Sequence, residues 1–449
     1  MIDDLRSFNA ELPEGWRWAK LGQLARFING DRGKNYPSPT DRVCSGVPFI
    51  NTGHIDSNGR LNRDRMEYIA RETFEKLGSG KVCRGDIVYC LRGSTIGKVA
   101  RNEFAEGAIA SSLIIIRSGN PYLQSFIYHY LSSSVGQRLA RTFDNGSAQP
   151  NLSARVLANY PIPLPPQADL TRMCELLGAL DDKIELSRQM NETLEAMARA
   201  IFEDWFVDFG PTRAKMEGRA PYLAPDLWSL FPERLNGEHK PAGWKIVPLG
   251  QCCSAIFSGG TPSTTVAEFW GGDVPWLSSG ETRNLVVTKT ERSITQAGVD
   301  NSSTRLATKG SAVIASAGQG NTRGQTAFLA RDMYINQSII ALKADKLVTT
   351  DALLFLDVNR RYDQFRQISD SNSSRGSLTT KMVASLPSVV PPLELIRQAD
   401  SCVSPLLNRI VANDFESRTL AAIRDLLLPK LMSGEIRVKD AEAIIEEVA

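Results

Sequence analysis

In the stretch Leu177-Gly178-Ala179-Leu180-Asp181-Asp182-Lys183-Ile184-Glu185-Leu186-Ser187-Arg188-Gln189-Met190-Asn191, positions 177, 180, 184, 187 and 191 alternate third and fourth spacings. That spacing lines one face of a helix, and Leu194, Ala198, Ile201 and Trp205 continue it. A shift of 226 turns this series into Val403, Leu406, Ile410, Asn413, Ser417, Leu420, Arg424, Leu427 and Leu431. Both stripes turn polar at the same two places, Ser187/Asn191 and Asn413/Ser417. Polar residues in a heptad seam lower stability but fix register. Antiparallel packing would set one polar centre against the other. At about 1.5 Å per residue, helices of roughly 35–40 residues reach about 50–60 Å. They are expected to act as spacers.

The repeat runs beyond the helices. Pro13-Glu14-Gly15-Trp16 returns as Pro241-Ala242-Gly243-Trp244, and Leu21-Gly22-Gln23 as Leu249-Gly250-Gln251, both shifted by 228. Val47-Pro48-Phe49 returns as Val274-Pro275-Trp276, shifted by 227. Ile109 and Ser112 return as Ile335 and Ser338, and Pro161 with Pro165-Pro166 as Pro387 with Pro391-Pro392, shifted by 226. Landmarks in one order at a slowly drifting shift indicate two copies with small loop deletions.

Each copy opens with a globular part, about Gly15 to Tyr160 and Gly243 to Leu386. Ile87-Val88-Tyr89, Leu113-Ile114-Ile115-Ile116 and Ser338-Ile339-Ile340-Ala341-Leu342 read as buried strands. Phe126 to Leu139 and Asp351 to Phe365 read as helices. Proline-rich exits close each part, because proline suppresses helix in the residue before it. The expected fold class is mixed α/β. Two similar globular α/β domains are separated by two long antiparallel coiled-coil helices, with an internal pseudo-twofold repeat. The expected boundaries are a first domain at 1–165, a helix at 166–209, a linker at 210–240, a second domain at 241–391, a helix at 392–432 and a tail at 433–449.

Composition removes several classes. The 449 residues are 42% hydrophobic and 23% charged, an ordinary globular balance. No run approaches the roughly 18 apolar residues of a membrane span, and Met1-Ile2-Asp3-Asp4 does not read as a signal peptide. A cytoplasmic location is the expectation. Seven irregularly spaced cysteines do not form a disulfide framework, and no pair of histidines sits at metal-ligand spacing. The net charge of +2 hides an asymmetry. Residues 1–160 carry +6, residues 240–390 carry +5, and the remainder carries −9. Two mildly basic domains on acidic arms suit contact with phosphates.

Three pairs of loops fall at corresponding places. The first pair holds Arg32, Lys34 and Asn35, against Thr261 and Ser263. The second holds Arg92, Ser94, Thr95 and Lys98, against Gln319, Asn321 and Arg323. The third holds Asn145 and Gln149, against Asn372 and Arg375. Arg reads guanine, Asn and Gln read adenine, and Ser or Thr reads either. Glycines in these loops let the backbone approach phosphates. Such residues are the candidate DNA contacts, although solvated loops share this composition. Gly93-Ser94-Thr95-Ile96-Gly97-Lys98-Val99 is one residue short of a P-loop and lacks its hydroxyl ligand.

Catalytic signatures are missing. No Asn/Asp-Pro-Pro-Tyr/Phe tetrapeptide stands in the chain, its double prolines following Leu164 and Val390. No G-x-G-x-x-G follows a strand, and no carboxylate cluster suggests a metal nuclease. A binding protein that positions other subunits is favoured. A self-contained DNA methyltransferase or nuclease, and a two-domain scaffold for a partner other than DNA, stand as alternatives.

At Leu180-Asp181-Asp182-Lys183-Ile184, at Phe202-Glu203-Asp204-Trp205-Phe206-Val207-Asp208-Phe209-Gly210-Pro211 and at Leu427-Leu428-Pro429-Lys430-Leu431-Met432-Ser433-Gly434-Glu435-Ile436-Arg437-Val438, the chain resembles the specificity subunits of type I restriction–modification systems. Gln167-Ala168-Asp169 and Leu395-Ile396-Arg397-Gln398 depart from the Glu-Gln pair usual after the prolines. The resemblance implies two target recognition domains, each reading one half of an asymmetric, gapped site in double-stranded DNA. It implies that the helices set the gap and dock two methyltransferase subunits, with motor-nuclease subunits adding restriction. S-adenosylmethionine, ATP and magnesium would then belong to the partners, with no cofactor, metal or catalytic residue on this chain. Leu177, Leu180, Ile184, Leu194, Ile201, Trp205, Val403, Leu406, Ile410, Leu420, Leu427 and Leu431 would form the spacer and partner interface.

Overall fold

The computed structural model describes residues 12–56, 59–63, 65–142, 151–318, 320–371 and 376–448. The chain divides into two compact units, Met1–Ile184 with Thr419–Ala449 and Glu185–Arg418.

The first unit is layered. A four-stranded antiparallel sheet runs in the order Arg26–Asn29, Leu113–Arg117, Ile87–Cys90, Val99–Arg101. A five-stranded sheet runs Arg42–Val43, Glu67–Ile69, Val47–Ile50, Glu106–Ile109, Lys81–Cys83, with one parallel pair, Val47–Ile50 and Glu106–Ile109. Alternation divides the inner strands between two cores. Val88, Cys90, Leu113 and Ile115 pack toward Ile50, Val82 and Ile109 of the second sheet. Ile87, Tyr89, Ile114 and Ile116 pack toward Phe126, Ile127, Tyr130 and Leu131 of a helix. A strand covered on both faces must read as a continuous apolar run, as 113–116 does.

The second unit repeats the plan. One sheet runs Cys253–Ser258, Ile339–Ala344, Ala312–Ala315, Thr326–Leu329, Val286–Val287, and the other Arg292–Ile294, Trp270–Leu277, Met333–Ile335, Arg305–Ala307. Val313, Ala327, Leu329 and Ala341 meet Leu277, Met333 and Ile335 between the sheets. Ile314, Phe328, Ile340 and Leu342 face the helix residues Leu353, Phe355 and Val358.

The proline-rich exits are strands. Pro161–Leu164 pairs antiparallel with Arg17–Lys20, and Pro387–Val390 with Lys245–Pro248. Each globular domain is thereby closed by its own entrance and exit, immediately before a long helix.

Those helices are Gln167–Phe206 and Leu393–Ser433, of 40 and 41 residues. In the first unit Leu170, Met173 and Leu177 share a core with Ile423, Leu427 and Leu431. Leu180 and Ile184 meet Leu420, and Arg424 Nη1 donates to Asp181 Oδ1 at 2.7 Å. In the second unit Ala198, Phe202 and Trp205 share a core with Ala399, Val403 and Ile410. Asn413 Nδ2 donates to Asn191 Oδ1 at 2.7 Å, so the polar positions of the two helices meet. In each unit the helix pair is antiparallel.

The structure departs from sequence expectation at the domain helices, the linker and the second helix stripe, and it orders the tail, which the sequence left open. Both predicted domain helices are broken, into Pro121–Ser132 and Ser134–Thr142 and into Asp351–Asn359 and Tyr362–Asp370. Ser133 turns extended, and its hydroxyl accepts from Gly136 N at 3.3 Å, starting a new helix. The expected linker 210–240 is folded, with helices Gly210–Met216 and Pro225–Ser229. Thr212, Ala214 and Phe231 are buried, and Phe231 stacks edge-on against Trp205. Isolated anchors between polar residues leave no period to read. The tail carries a helix, Val438–Val448, which buries Val438 and Ala441. On the second long helix Leu407, Ile423, Leu428 and Met432 are buried beside the expected stripe, and Leu406 only partly. In each unit the second long helix packs against the globular domain as well as the other helix, with Ile423, Leu428 and Met432 in the first domain's core and Leu407 in the second's, and that widens the apolar face.

Among the described residues no helix is long and apolar enough to cross a membrane. All seven cysteines are free.

His129 is a buried liability of the first unit. Its side chain is 2% exposed, its Nε2 lies 3.8 Å from Asp181 Oδ2, and that nitrogen has no hydrogen-bond partner. Burial pushes its pKa down to about 4 from 6.5, against the pull of Asp181, with Arg101 and Arg424 adding to the depression. Above pH 6.5 it is neutral in both states. Below that, the unfolded chain takes a proton that the folded one refuses, so stability falls between pH 6.5 and about 4. The expected loss is about 3 kcal/mol. Chemical denaturation of the first unit across this range should show the slope in the parent chain. The slope should be clearly shallower in His129→Leu, with His54, whose pKa burial also lowers, carrying part of what remains, and an unchanged slope would refute the assignment.

Candidate nucleic-acid interface

Three loops of the first domain converge on one cleft of about 330 Å³. The strand Arg26–Asn29 delivers Asn29 and, past its end, Arg32. The strand Ile87–Cys90 delivers Leu91 and Arg92. Asn151 forms a bridge with Arg92, Leu152 N donates to Leu91 O at 2.8 Å, and the following turn of helix, Ala154–Ala158, brings Arg155. Gly30 makes the first loop possible. A Cβ there would stand 2.6 Å from Ala110 O, and at the matching Gly259 it would stand 1.8 Å from Ile335 O. Only a residue without a side chain lets the loop backbone lie so close to a sheet.

Arg32, Arg92 and Arg155 are exposed, and no carboxylate pairs with them among the described residues. Arg32 reaches only Ser111 O, at 3.3 Å. The nearest acid in the loop, Asp31, accepts from Gly33 N and Gly78 N, both at 2.8 Å. These bonds hold its carboxyl below the usual carboxylate range. Its charge therefore braces the loop. Three guanidinium forks in one cleft, without acids, suit a polyanion with acceptor edges.

The other candidates divide. Lys34 and Ser94 are exposed beside the cleft loops, and Asn35 Nδ2 donates to Lys76 O at 2.8 Å. Lys98 turns inward and donates to Ile55 O at 2.8 Å, while Thr95 Oγ1 sits 3.3 Å from Cys90 Sγ. Both brace the loop. In the second domain Thr261 bonds the Gln337 side chain, Ser263 bonds Thr265 at 2.8 Å, and the Asn321 carbonyl accepts from Tyr362 Oη at 3.1 Å. Arg323 is spent internally, paired with Asp370 and donating to Gly376 O at 2.5 Å. Its partners lie 47 and 53 residues on, beyond what local reading could find. Asn145, Gln149, Gln319, Asn372 and Arg375 lie outside the described residues.

Sequence reading missed Arg155, which stands in a short helix without a loop signature. It also missed the tryptophans that hold the first loop of the second domain. Trp270 Nε1 donates to Ser263 O at 3.0 Å and Trp276 Nε1 to Gly260 O at 3.3 Å. The Arg292 guanidinium stacks on Trp270 at 3.7 Å.

Of the spacer residues, Leu177, Leu180, Ile184, Trp205, Val403, Ile410, Leu420, Leu427 and Leu431 are buried, and Leu194, Ile201 and Leu406 are partly buried. They are consumed within the helix pairs and domain cores.

Together these features define a duplicated chain whose first domain gathers three guanidinium groups in one cleft and whose second domain carries loops at matching positions. The sequence profile of the type I restriction modification DNA specificity domain matches residues 13–196 and 241–402, and the chain belongs to that family. It is 24% identical to the HindI specificity subunit of Haemophilus influenzae, over 94% of this chain and 99% of that one. It is 21% identical to the MjaIX specificity subunit of Methanocaldococcus jannaschii, over 96% and 95%. A solved type I restriction–modification S subunit from M. genitalium shares the fold at TM-score 0.57 and 15% identity, over 94% and 97% of the two chains.

Lys98 and Arg323 are expected to hold loops. Lys98→Met and Arg323→Ala should each destabilise their own domain by about 1–2 kcal/mol. Lys34→Ala should leave stability unchanged. Thermal unfolding separates these outcomes, and unaltered midpoints for the first two would return them to the list of free contacts.

Proposed function

We propose that this chain is the DNA sequence-specificity subunit of a type I restriction–modification enzyme. The observation that carries the reading is the repeat itself, two copies of one domain that present loops at matching positions within a family of DNA specificity domains. Each domain reads one half of a gapped site. Because loop residues differ between copies, with Arg32 and Lys34 against Thr261 and Ser263, the halves differ and the site is asymmetric.

The chain itself supplies address and scaffold. Methyltransferase subunits dock on it, one for each half-site, and bring S-adenosylmethionine. Motor-nuclease subunits bring ATP and magnesium. Extruding the target base belongs to the methyltransferase subunits, at a cost of a few kcal/mol. The long helices are the ruler between half-sites.

Reconstitution with methyltransferase partners, followed by mapping of methylated adenines, should return one bipartite motif. Methyl transfer by the purified chain alone would overturn the reading. Affinity should fall linearly in log–log form with salt, by roughly 0.9 per phosphate contacted. Inserting seven residues after Ile184 and seven before Thr419 lengthens the ruler by roughly 10 Å. The preferred gap should then grow by about three base pairs, at 3.4 Å each. An unchanged gap would remove the helices from that role.

A further inference from the structure

The two domains share loop positions but not the chemistry at those positions, and the backbone fixes which residues correspond. In the first domain Leu91 N donates to Ser112 O at 2.9 Å, and Leu91 O accepts from Leu152 N at 2.8 Å. In the second, Ser316 N donates to Ser338 O at 2.8 Å, and Ser316 O accepts from Leu378 N at 2.9 Å. Leu91 and Ser316 are equivalent, so Arg92 corresponds to Ala317. Ser153 caps one short helix by accepting from Val156 N, and Thr379 caps the other by accepting from Met382 N, each at 3.2 Å. The residue two past each cap is Arg155 in one domain and Lys381 in the other. The close-approach glycines Gly30 and Gly259 are equivalent, and two residues past them stand Arg32 and Thr261. Three guanidiniums in one cleft are thus replaced by a hydroxyl, a methyl and an ammonium at the equivalent positions of the second domain.

The replacements differ in what they can read. A guanidinium offers two parallel donors that match guanine O6 and N7 in the major groove. An ammonium is a point charge that serves phosphate as well as any base, and alanine offers no donor. The second domain does hold nearby arginines, but Arg323 is tied to Asp370 and Gly376, and Arg366 donates to Gly320 O at 2.6 Å. Arg323 and Arg366 are thereby occupied in holding loops, and Arg292, stacked on Trp270 at 3.7 Å, stands at none of the three equivalent positions.

We infer that the first domain's half-site contains at least one G·C pair read by Arg92 or Arg155, and that the equivalent positions of the second domain make no such contact. This rests on the specificity-subunit reading and names the base chemistry of its first half-site. Arg32 also lines the cleft, but its guanidinium is already engaged by Ser111 O, so the backbone rather than a base is assigned to it.

The test uses the full chain with its methyltransferase partners, and maps methylated motifs for the parent, Arg92→Lys, Arg155→Lys, the double variant, and Lys381→Ala. Lysine keeps the charge and loses the fork, so it separates base reading from phosphate contact. In the parent, the half-site affected by the double variant should contain a G·C pair. In the double variant that pair should become degenerate, with discrimination falling roughly tenfold or more. The other half-site should be unchanged, and Lys381→Ala should not relax any G·C position. Replacing that guanine with 7-deazaguanine should weaken the parent complex and leave the double variant little altered, which a merely misfolded variant would not reproduce.

Full specificity retained by both lysine variants overturns the inference. So does an affected half-site without G·C pairs, and so does equal weakening of both halves. If no chain-dependent methylated motif appears at all, the specificity reading itself fails, and this inference falls with it.

Discussion

One buried asparagine contact sets the register of the helix pair in the second unit. Asn413 Nδ2 donates to Asn191 Oδ1 at 2.7 Å, inside a helix pair whose neighbouring contacts are apolar. Asn413 is fully buried, and its own Oδ1 has no partner. Burying that oxygen costs about 1–3 kcal/mol. Leucines at both positions would pack well in several registers, because one heptad of such a seam resembles the next. The asparagine pair meets in one register only. Stability is given up for position, which suits a chain whose helices carry two readers.

Position also explains the strand clasps. A domain joined to a long helix by a flexible exit would swing. Here Pro161–Leu164 pairs with Arg17–Lys20 and Pro387–Val390 with Lys245–Pro248. Proline lacks an amide donor, so Pro161 and Pro163 are tolerable only where a strand has a free edge. A two-stranded clasp provides that edge. The composition that looks like a breaker is therefore a hinge stop. Tyr130 Oη donates to Pro161 O at 2.6 Å and ties the clasp to the helical layer. Arg361 Nη2 does the same for the second copy through Pro387 O at 2.8 Å, with Asp357 paired behind it.

Sequence made the architecture legible because the repeat is a long-range signal that needs no structural knowledge. The strands at 113–116 and 339–342 were legible because burial on both faces removes polar residues. The folded segment 210–240 was not, since Thr212, Ala214 and Phe231 anchor it without period. The site was half legible. Arg32 and Arg92 stand in glycine-rich loops that announce themselves, whereas Arg155 is carried in by a five-residue helix after Asn151 bridges to Arg92. Lys98 and Arg323 looked like free donors because their acceptors, Ile55 O and Asp370 with Gly376 O, are far away in sequence. Composition can nominate a charged side chain, but only packing tells whether its charge is already used.

That distinction bears on how one scaffold can carry two addresses. Both domains keep the same glycine at the close approach, the same capped short helix and the same backbone bonds around Leu91 and Ser316. None of those features contributes a base-reading donor. The variable positions sit one or two residues past each fixed point, at 32, 92 and 155 against 261, 317 and 381. The fixed bonds of that frame are made by other residues, so under the proposed reading exchange at these positions would alter recognition with little penalty in folding. Surface substitutions of this kind usually change stability by no more than about 0.5 kcal/mol, whereas a lost base contact costs about 1–3 kcal/mol of discrimination. On the proposed reading, this separation of frame from reading residues would let the two copies diverge in address while keeping the same backbone bonds at the fixed points.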